Sequence, residues 1–272
     1  MTKGMEIVSP SDPSYTVVQN VHWLLEGTMT RVVEVSKRAW NFYSVYGFAE
    51  TAKVASRRMR GGLGLPSARQ KADDEHHKAV DARFDRVLGT DTGGEFHLDR
   101  LNVLGDNWTA GVGYLASDPV WIEQALLWLA LDWSQFTFLD LGSGKGRALL
   151  IARQYSFRRI VGVEFAEELH RVACRNFSGL NDARCELVLG DATTYEVPSE
   201  PLVVYPYNPF RPPLHGRVAD RLAASWRRYR RPIHVVYAYP AHLSDWLQAG
   251  WVETYSATDF VVLRPVDDSA AG

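Results

Sequence analysis

The sequence predicts an α/β fold: a seven-stranded, mostly parallel sheet with an antiparallel last strand, preceded by a helical N-terminal extension. Three observations carry this. From Ser117 to Arg264, apolar runs of strand length alternate with segments of helical periodicity, the pattern of a parallel sheet covered on both faces. One run, Phe138-Leu139-Asp140-Leu141-Gly142-Ser143-Gly144-Lys145-Gly146-Arg147, passes from strand through a glycine turn into a helix. The last two runs are joined by too few residues for a parallel crossover, so they pair antiparallel.

At 272 residues and 46% hydrophobic content, the chain has room for one large domain with an extension, or for two small ones. Its organisation reads as an extension over 1–79, a main α/β domain over 80–266 with its core at about 114–266, and a disordered tail over 267–272. A net charge of -2 with 23% charged residues argues against a surface devoted wholly to nucleic acid. Cys174 and Cys185 read as inert core thiols, too few for a disulfide framework. No apolar run is long enough to span a membrane, and no basic-then-apolar signal opens the chain. The expectation is a cytoplasmic protein.

In chain order, residues 1 to about 13 are polar. Tyr15 to Arg60 is helical in pattern and stops at Gly61-Gly62. This extension is read as packed on the main domain, the alternatives being a lid, an interfacial membrane helix or an arm forming a homodimer. Gly61 to Arg69 is a linker. A polar helix follows from about Asp73, with His76 and His77 solvated. Phe84 to Gly94 is dense in turn formers and reads either as a capped turn or as a loop over the ligand site, with Thr90, Asp91 and Thr92 as its candidate lid residues. Ser117-Asp118-Pro119 starts a helix, an N-cap followed by Pro. Strands are expected at 136–141, 159–165, 185–189, 201–206, 233–239, 251–256 and 260–264, with helices at 146–155, 166–180, 215–229 and 241–249 between them.

Four features fall at the carboxyl ends of successive strands, where such sheets bind ligands. The glycine turn admits close approach of a ligand to backbone and aims helix N–H groups at it. Arg147 stands where a dinucleotide fingerprint needs its third glycine, and no Walker A lysine and hydroxyl follow at the required spacing. Glu164, 22 residues after Gly142, can accept two hydrogen bonds from a ribose diol. Asp191 can accept an adenine amino group while Ala192 N–H serves the ring, or simply cap a turn. Tyr207-Asn208-Pro209-Phe210 offers an amide, a carbonyl and an aromatic ring to an amine, or an ordinary Asn-Pro turn.

In this order and spacing, Phe138–Arg147, Val161–Phe165, Gly190–Ala192 and Tyr207–Phe210 resemble the motifs of class I S-adenosylmethionine-dependent methyltransferases, over roughly Tyr114 to Arg264. The chain is also similar to an uncharacterised bacterial group of these enzymes that carries a stretch like Phe84–Gly94, which makes that stretch a lid or pocket wall. The resemblance implies a Rossmann-like fold and S-adenosylmethionine as cofactor. It puts Tyr114, Asp140, Gly142, Gly144 and Gly146 around the methionine end, Glu164 on the ribose, and Asp191 with Ala192 on the adenine. Asn208, Pro209 and Phe210 would be the catalytic residues, near the Asn/Asp-Pro-Pro-Tyr/Phe motif of amino-methylating members but with one proline fewer. Tyr207 would join the substrate side.

An amine acceptor, on a protein or a small molecule, needs no strong base, whereas an oxygen acceptor does; His215 and Asp91 are the candidates. The alternatives are an O- or C-methyltransferase, a cofactor-binding module without catalysis, or a dehydrogenase, which Arg147 disfavours. No spacing suggests a metal. Seven arginines between 211 and 231 face one acid, Asp220. They read as a solvated helix face, with an acidic partner or RNA as the alternative.

Overall fold

The computed structural model describes residues 67–97, 101–103, 113–210 and 212–267. The expectations for residues 1–66, for Arg211 and for 268–272 lie outside the described residues.

The first helix, α1, runs from Ser67 to Leu88. It begins inside the expected linker, crosses 79–80, where the sequence drew a domain boundary, and takes Phe84–Leu88 into its last turns. His77 is half-buried with its ring edge-on to Trp121 at 6.4 Å. It is not solvated as expected, because the apolar start of the next helix packs there. A short antiparallel pair follows, β1 (Glu95–Phe96) with β2 (Tyr114–Leu115); two-residue strands leave no period to read.

Helix α2 spans Pro119–Leu129. Asp118 accepts the Val120 N–H at 2.9 Å, and Pro119 occupies the position that needs no N–H partner. The main sheet comprises β3 (Thr137–Leu141), β4 (Arg159–Glu164), β5 (Cys185–Leu189), β6 (Leu202–Pro206), β7 (Ile233–Ala238), β8 (Trp251–Ser256) and β9 (Phe260–Pro265). Its order is β5-β4-β3-β6-β7-β9-β8. The first five pair in parallel, while β9 is antiparallel to both β7 and β8. The fold is the expected Rossmann-like, mostly parallel seven-stranded sheet. Helices α3 (Arg147–Ala152), α4 (Glu167–Phe177), α5 (Leu214–Tyr229) and α6 (Leu243–Gln248) connect its strands.

Strand alternation divides the core. Leu139, Leu141, Val161, Val163 and Val204 pack against Leu214, Val218 and Leu222 of α5 and against Trp246. Phe138, Ile160 and Tyr205 belong to the opposite side of the pleat and are equally buried, with Phe138 against Phe157 and Tyr205. Asp140, in the register of Phe138, emerges at the carboxyl edge on that second face. The cysteines are not core thiols: Cys174 is exposed on α4 and Cys185 half-buried. β5 ends the sheet, so every one of its residues stays at least partly accessible.

Candidate functional site

The turn after β3 is built by glycines at positive φ: Gly142 at 85°, Gly144 at 54° and Gly146 at 88°. Only glycine adopts such angles at little cost. Space matters as much. A Cβ at Gly144 would collide with the Tyr114 ring, at Gly142 it would meet Pro209 at 2.8 Å, and at Gly146 it would meet Phe177 at 2.9 Å. Of the three glycines, only Gly142 lines a cleft; Gly144 and Gly146 make room for the chain's own aromatic rings.

The turn's N–H groups are spent within the protein. Those of Gly142 and Ser143 go to the Val163 carbonyl, that of Gly146 to Ser143, and that of Gly144 to Glu164 Oε2 at 2.7 Å. The expected array of free donors is therefore missing at these four positions.

Above the turn lies a cleft of about 610 Å³, partly open to solvent. Tyr114, Ser117, Asp140, Gly142, Arg147, Glu164, Tyr207, Asn208 and Pro209 are among its walls. An adjoining chamber of about 350 Å³ shares Gly142, Phe165 and Pro209 with it and adds Gly190, Asp191, Ala192 and Phe210. The residues expected at the two ends of one ligand thus divide between two adjoining spaces, with Pro209 packed against Gly142 as a wall common to both. Phe210 is buried on the Asp191 side and does not line the cleft that holds Asn208 and Tyr207.

Two carboxyl groups share the larger cleft, and both Asp140 and Glu164 are 3% exposed. Burial, then repulsion from Glu164, holds the Asp140 carboxyl well above the ordinary range. Burial raises Glu164 to about 7, although backbone N–H groups, Ala166 and Gly144 foremost, pull the other way. Glu164 Oε1 accepts from Ala166 N at 2.8 Å, so its carboxylate plane is fixed from both sides. Tyr114 and Tyr207 have their hydroxyls pushed up chiefly by burial, and both remain neutral donors.

No family model matches the chain, and no curated protein matches it. Among solved structures, similarity extends to a protein of Pyrococcus horikoshii assigned as an RNA methyltransferase, with 16% identity over 63% of this chain and 94% of that one, TM-score 0.45. A protein of Escherichia coli assigned as a methyltransferase is 15% identical over 63% and 98%, TM-score 0.42. One of Listeria monocytogenes assigned as an S-adenosylmethionine-dependent methyltransferase is 9% identical over 55% and 98%, TM-score 0.40. None of these likenesses assigns a family. What the cleft can do is decided by its own walls.

The loop after α1 stands behind those walls. Asp85 Oδ1 accepts from Thr90 Oγ1, Thr92 N and Thr92 Oγ1, and Oδ2 from Gly93 N, all at 2.7–3.0 Å. Lys145 donates to Asp91 Oδ1 at 2.8 Å and to the Gly93 carbonyl at 2.7 Å. Asn176 grips the Asp91 backbone from α4. Arg147 donates from Nε to Thr92 Oγ1 at 2.8 Å and from Nη1 to Asp81 and the Ser117 carbonyl. Tyr114 donates its hydroxyl to the Thr92 carbonyl. Thr90, Asp91 and Thr92 therefore line no part of the cleft; they brace Tyr114, which does.

Both candidate bases lie elsewhere. Asp91 is ion-paired to Lys145. His215 is 1% exposed, accepts from Trp246 Nε1 at 3.0 Å and is pushed down to about 4 by burial and His242. Asp191 Oδ1 accepts from Thr193 N at 2.7 Å, so its turn-capping role is present. Asn208 has φ 38° and accepts at Oδ1 from Tyr237 Oη at 3.3 Å. The Arg-rich stretch is partly structural: Arg221 on α5 and Arg231 beyond its end donate to the carbonyls of Thr194, Tyr195, Pro198 and Glu200. Among the described residues, no cluster of three metal-ligating side chains occurs and no helix is long and apolar enough to cross a membrane.

Sequence reading passed over Asp81, Lys145, Asn176 and Tyr237. Lys145 and Arg147 in the glycine stretch and Asp81 on α1 were visible, but the pairing of Arg147 with Asp81 and of Lys145 with Asp91 was not.

Proposed function

We propose that the two adjoining spaces together bind S-adenosylmethionine and that the protein is a methyltransferase with an amine as acceptor. The observation that carries this reading is the buried pair Asp140 and Glu164, facing one cleft at the carboxyl ends of neighbouring parallel strands. Two such carboxyls resist joint ionisation, and a cationic ligand relieves that resistance. Glu164, already oriented by two N–H groups, keeps lone pairs for hydroxyl donors such as a ribose diol. Asp191 and Ala192 line the adjoining chamber, which suits an adenine edge.

When bound, the cofactor supplies an electrophilic methyl group on a sulfonium. The protein's residues then orient the acceptor and strip it of water. Tyr237 fixes the Asn208 amide by donating to one lone pair of Oδ1; the second lone pair and the Pro209 carbonyl remain to accept N–H groups of a neutral amine. Neither His215 nor Asp91, the two bases that the sequence offered, lines the cleft. The acceptor is read as a protein side chain or a small amine.

Two measurements test the reading. S-adenosylhomocysteine should raise the melting temperature and NAD should not; no response to S-adenosylhomocysteine removes the cofactor assignment. Labelled methyl from S-adenosylmethionine should enter one fraction of a cell extract separated into protein, nucleic acid and small molecules. Asn208→Ala should cut that transfer by roughly 100-fold while S-adenosylhomocysteine still binds. Undiminished transfer removes Asn208 from the mechanism.

A further inference from the structure

A zwitterionic amino-acid end needs a partner for its carboxylate, and the backbone donors that commonly serve are engaged: Gly142, Ser143, Gly144 and Gly146 all give their N–H groups to protein oxygens. Lys145 is held by Asp91 and Gly93 and does not line the cleft. Arg147 is the one Lys or Arg side chain among the described residues that form its walls.

The guanidinium is 3% exposed, and its donors are unequally used. Nε is taken by Thr92 and Nη1 by Asp81 and Ser117, whereas Nη2 is buried without a hydrogen-bond partner. Buried guanidinium nitrogens seldom go unpaired, since an unmet charged donor costs more than a neutral one. The group is also rigid. Its plane is set by three bonds and by the Phe84 ring 4.9 Å from Cζ. Ser117, one of its anchors, is itself a cleft wall.

Resting on the reading above, we propose that Arg147 Nη2 binds the α-carboxylate of the cofactor's amino-acid end. The cleft then presents a fixed cation and, in Asp140, a buried carboxyl, one for each charge of the zwitterion. A guanidinium held from behind by Asp81 and Thr92 pays little ordering entropy when it meets an anion. Arg147, which in the sequence only excluded a dinucleotide, becomes a residue selecting this ligand.

The test removes the carboxylate from the ligand and the guanidinium from the protein. Calorimetry compares S-adenosylhomocysteine with its decarboxylated analogue, which keeps the amine, on the full chain and on Arg147→Met. The wild-type protein should prefer the carboxylate-bearing ligand by roughly 10- to 100-fold, the range of one charge-assisted hydrogen bond, and Arg147→Met should bind the two about equally. A purely structural role for Arg147 would weaken both ligands together and leave the preference intact, which overturns the proposal. Should Arg147→Met fail to fold, Arg147→Gln removes the charge but keeps an amide that can donate to Asp81; an unchanged preference there overturns it as well. If wild-type protein binds S-adenosylhomocysteine without preferring it, the carboxylate assignment fails and the cofactor reading stands. If it binds neither ligand, both fail.

Discussion

At the scale of single residues, Glu164 decides how the site should respond to pH. Its folded pKa of about 7 lies above the ordinary 4.5, so the folded protein keeps a proton that the unfolded chain releases between those values. Stability contributed by that proton is complete below about 4.5 and lost as pH rises through about 7, a change on the order of 3 kcal/mol. Ligand binding runs the other way. Ribose hydroxyls donate to the carboxylate, so affinity for S-adenosylhomocysteine should climb about tenfold between pH 6 and 8 and level off above. Titration calorimetry across that range checks it, with Glu164→Gln expected to flatten the rise; a flat wild-type profile would show that Glu164 does not meet the diol as a carboxylate. That Glu164 closes the strand after the glycine turn was legible from spacing. Its tie to Gly144 N–H was not, because that bond depends on the turn folding back over β4.

The loop over 89–94 shows where reading a sequence element by element stops. Its turn formers were plain, yet a capped turn and a ligand lid remained even, because the partners that decide between them are remote. Lys145, Arg147 and Asn176 stand 52 to 85 positions further along the chain. In the folded chain the stretch is both: a turn capped by Asp85, and a brace that holds Tyr114 across Gly144. Asp85 meets four donors, so Asp85→Ala should leave several half-buried donors without a partner. It should cost about 2 kcal/mol of stability and raise hydrogen exchange at Thr92 and Gly93. Loss of the brace should also weaken S-adenosylhomocysteine binding through Tyr114, even though Asp85 lies outside the cleft. A stable variant with unchanged exchange at those amides would mean that Lys145 and Arg147 hold the loop unaided.

For the whole molecule, alternation of apolar runs with helical segments was enough to give the parallel sheet, and a short connection was enough to give the antiparallel end. The insertion of β9 between β7 and β8 was not legible, since hydrophobicity alone does not say which neighbour a strand takes. That placement makes β8 an edge strand, half-accessible along most of its length, and puts β6, β7 and β9 between it and β3. The cleft sits over β3 and β4 at the other side. Opening of β8 therefore leaves the ligand site intact, whereas opening of β3, buried at every residue, destroys it. Ligand binding stabilises only against openings that release the ligand. With S-adenosylhomocysteine at one hundred times its dissociation constant, β3 amides should exchange roughly 100-fold more slowly, and β8 amides at their unliganded rate. Equal slowing in both strands would mean that the sheet opens as one cooperative unit, its edge included. Slowing in neither would mean that the ligand does not hold the strands that carry Asp140 and Glu164.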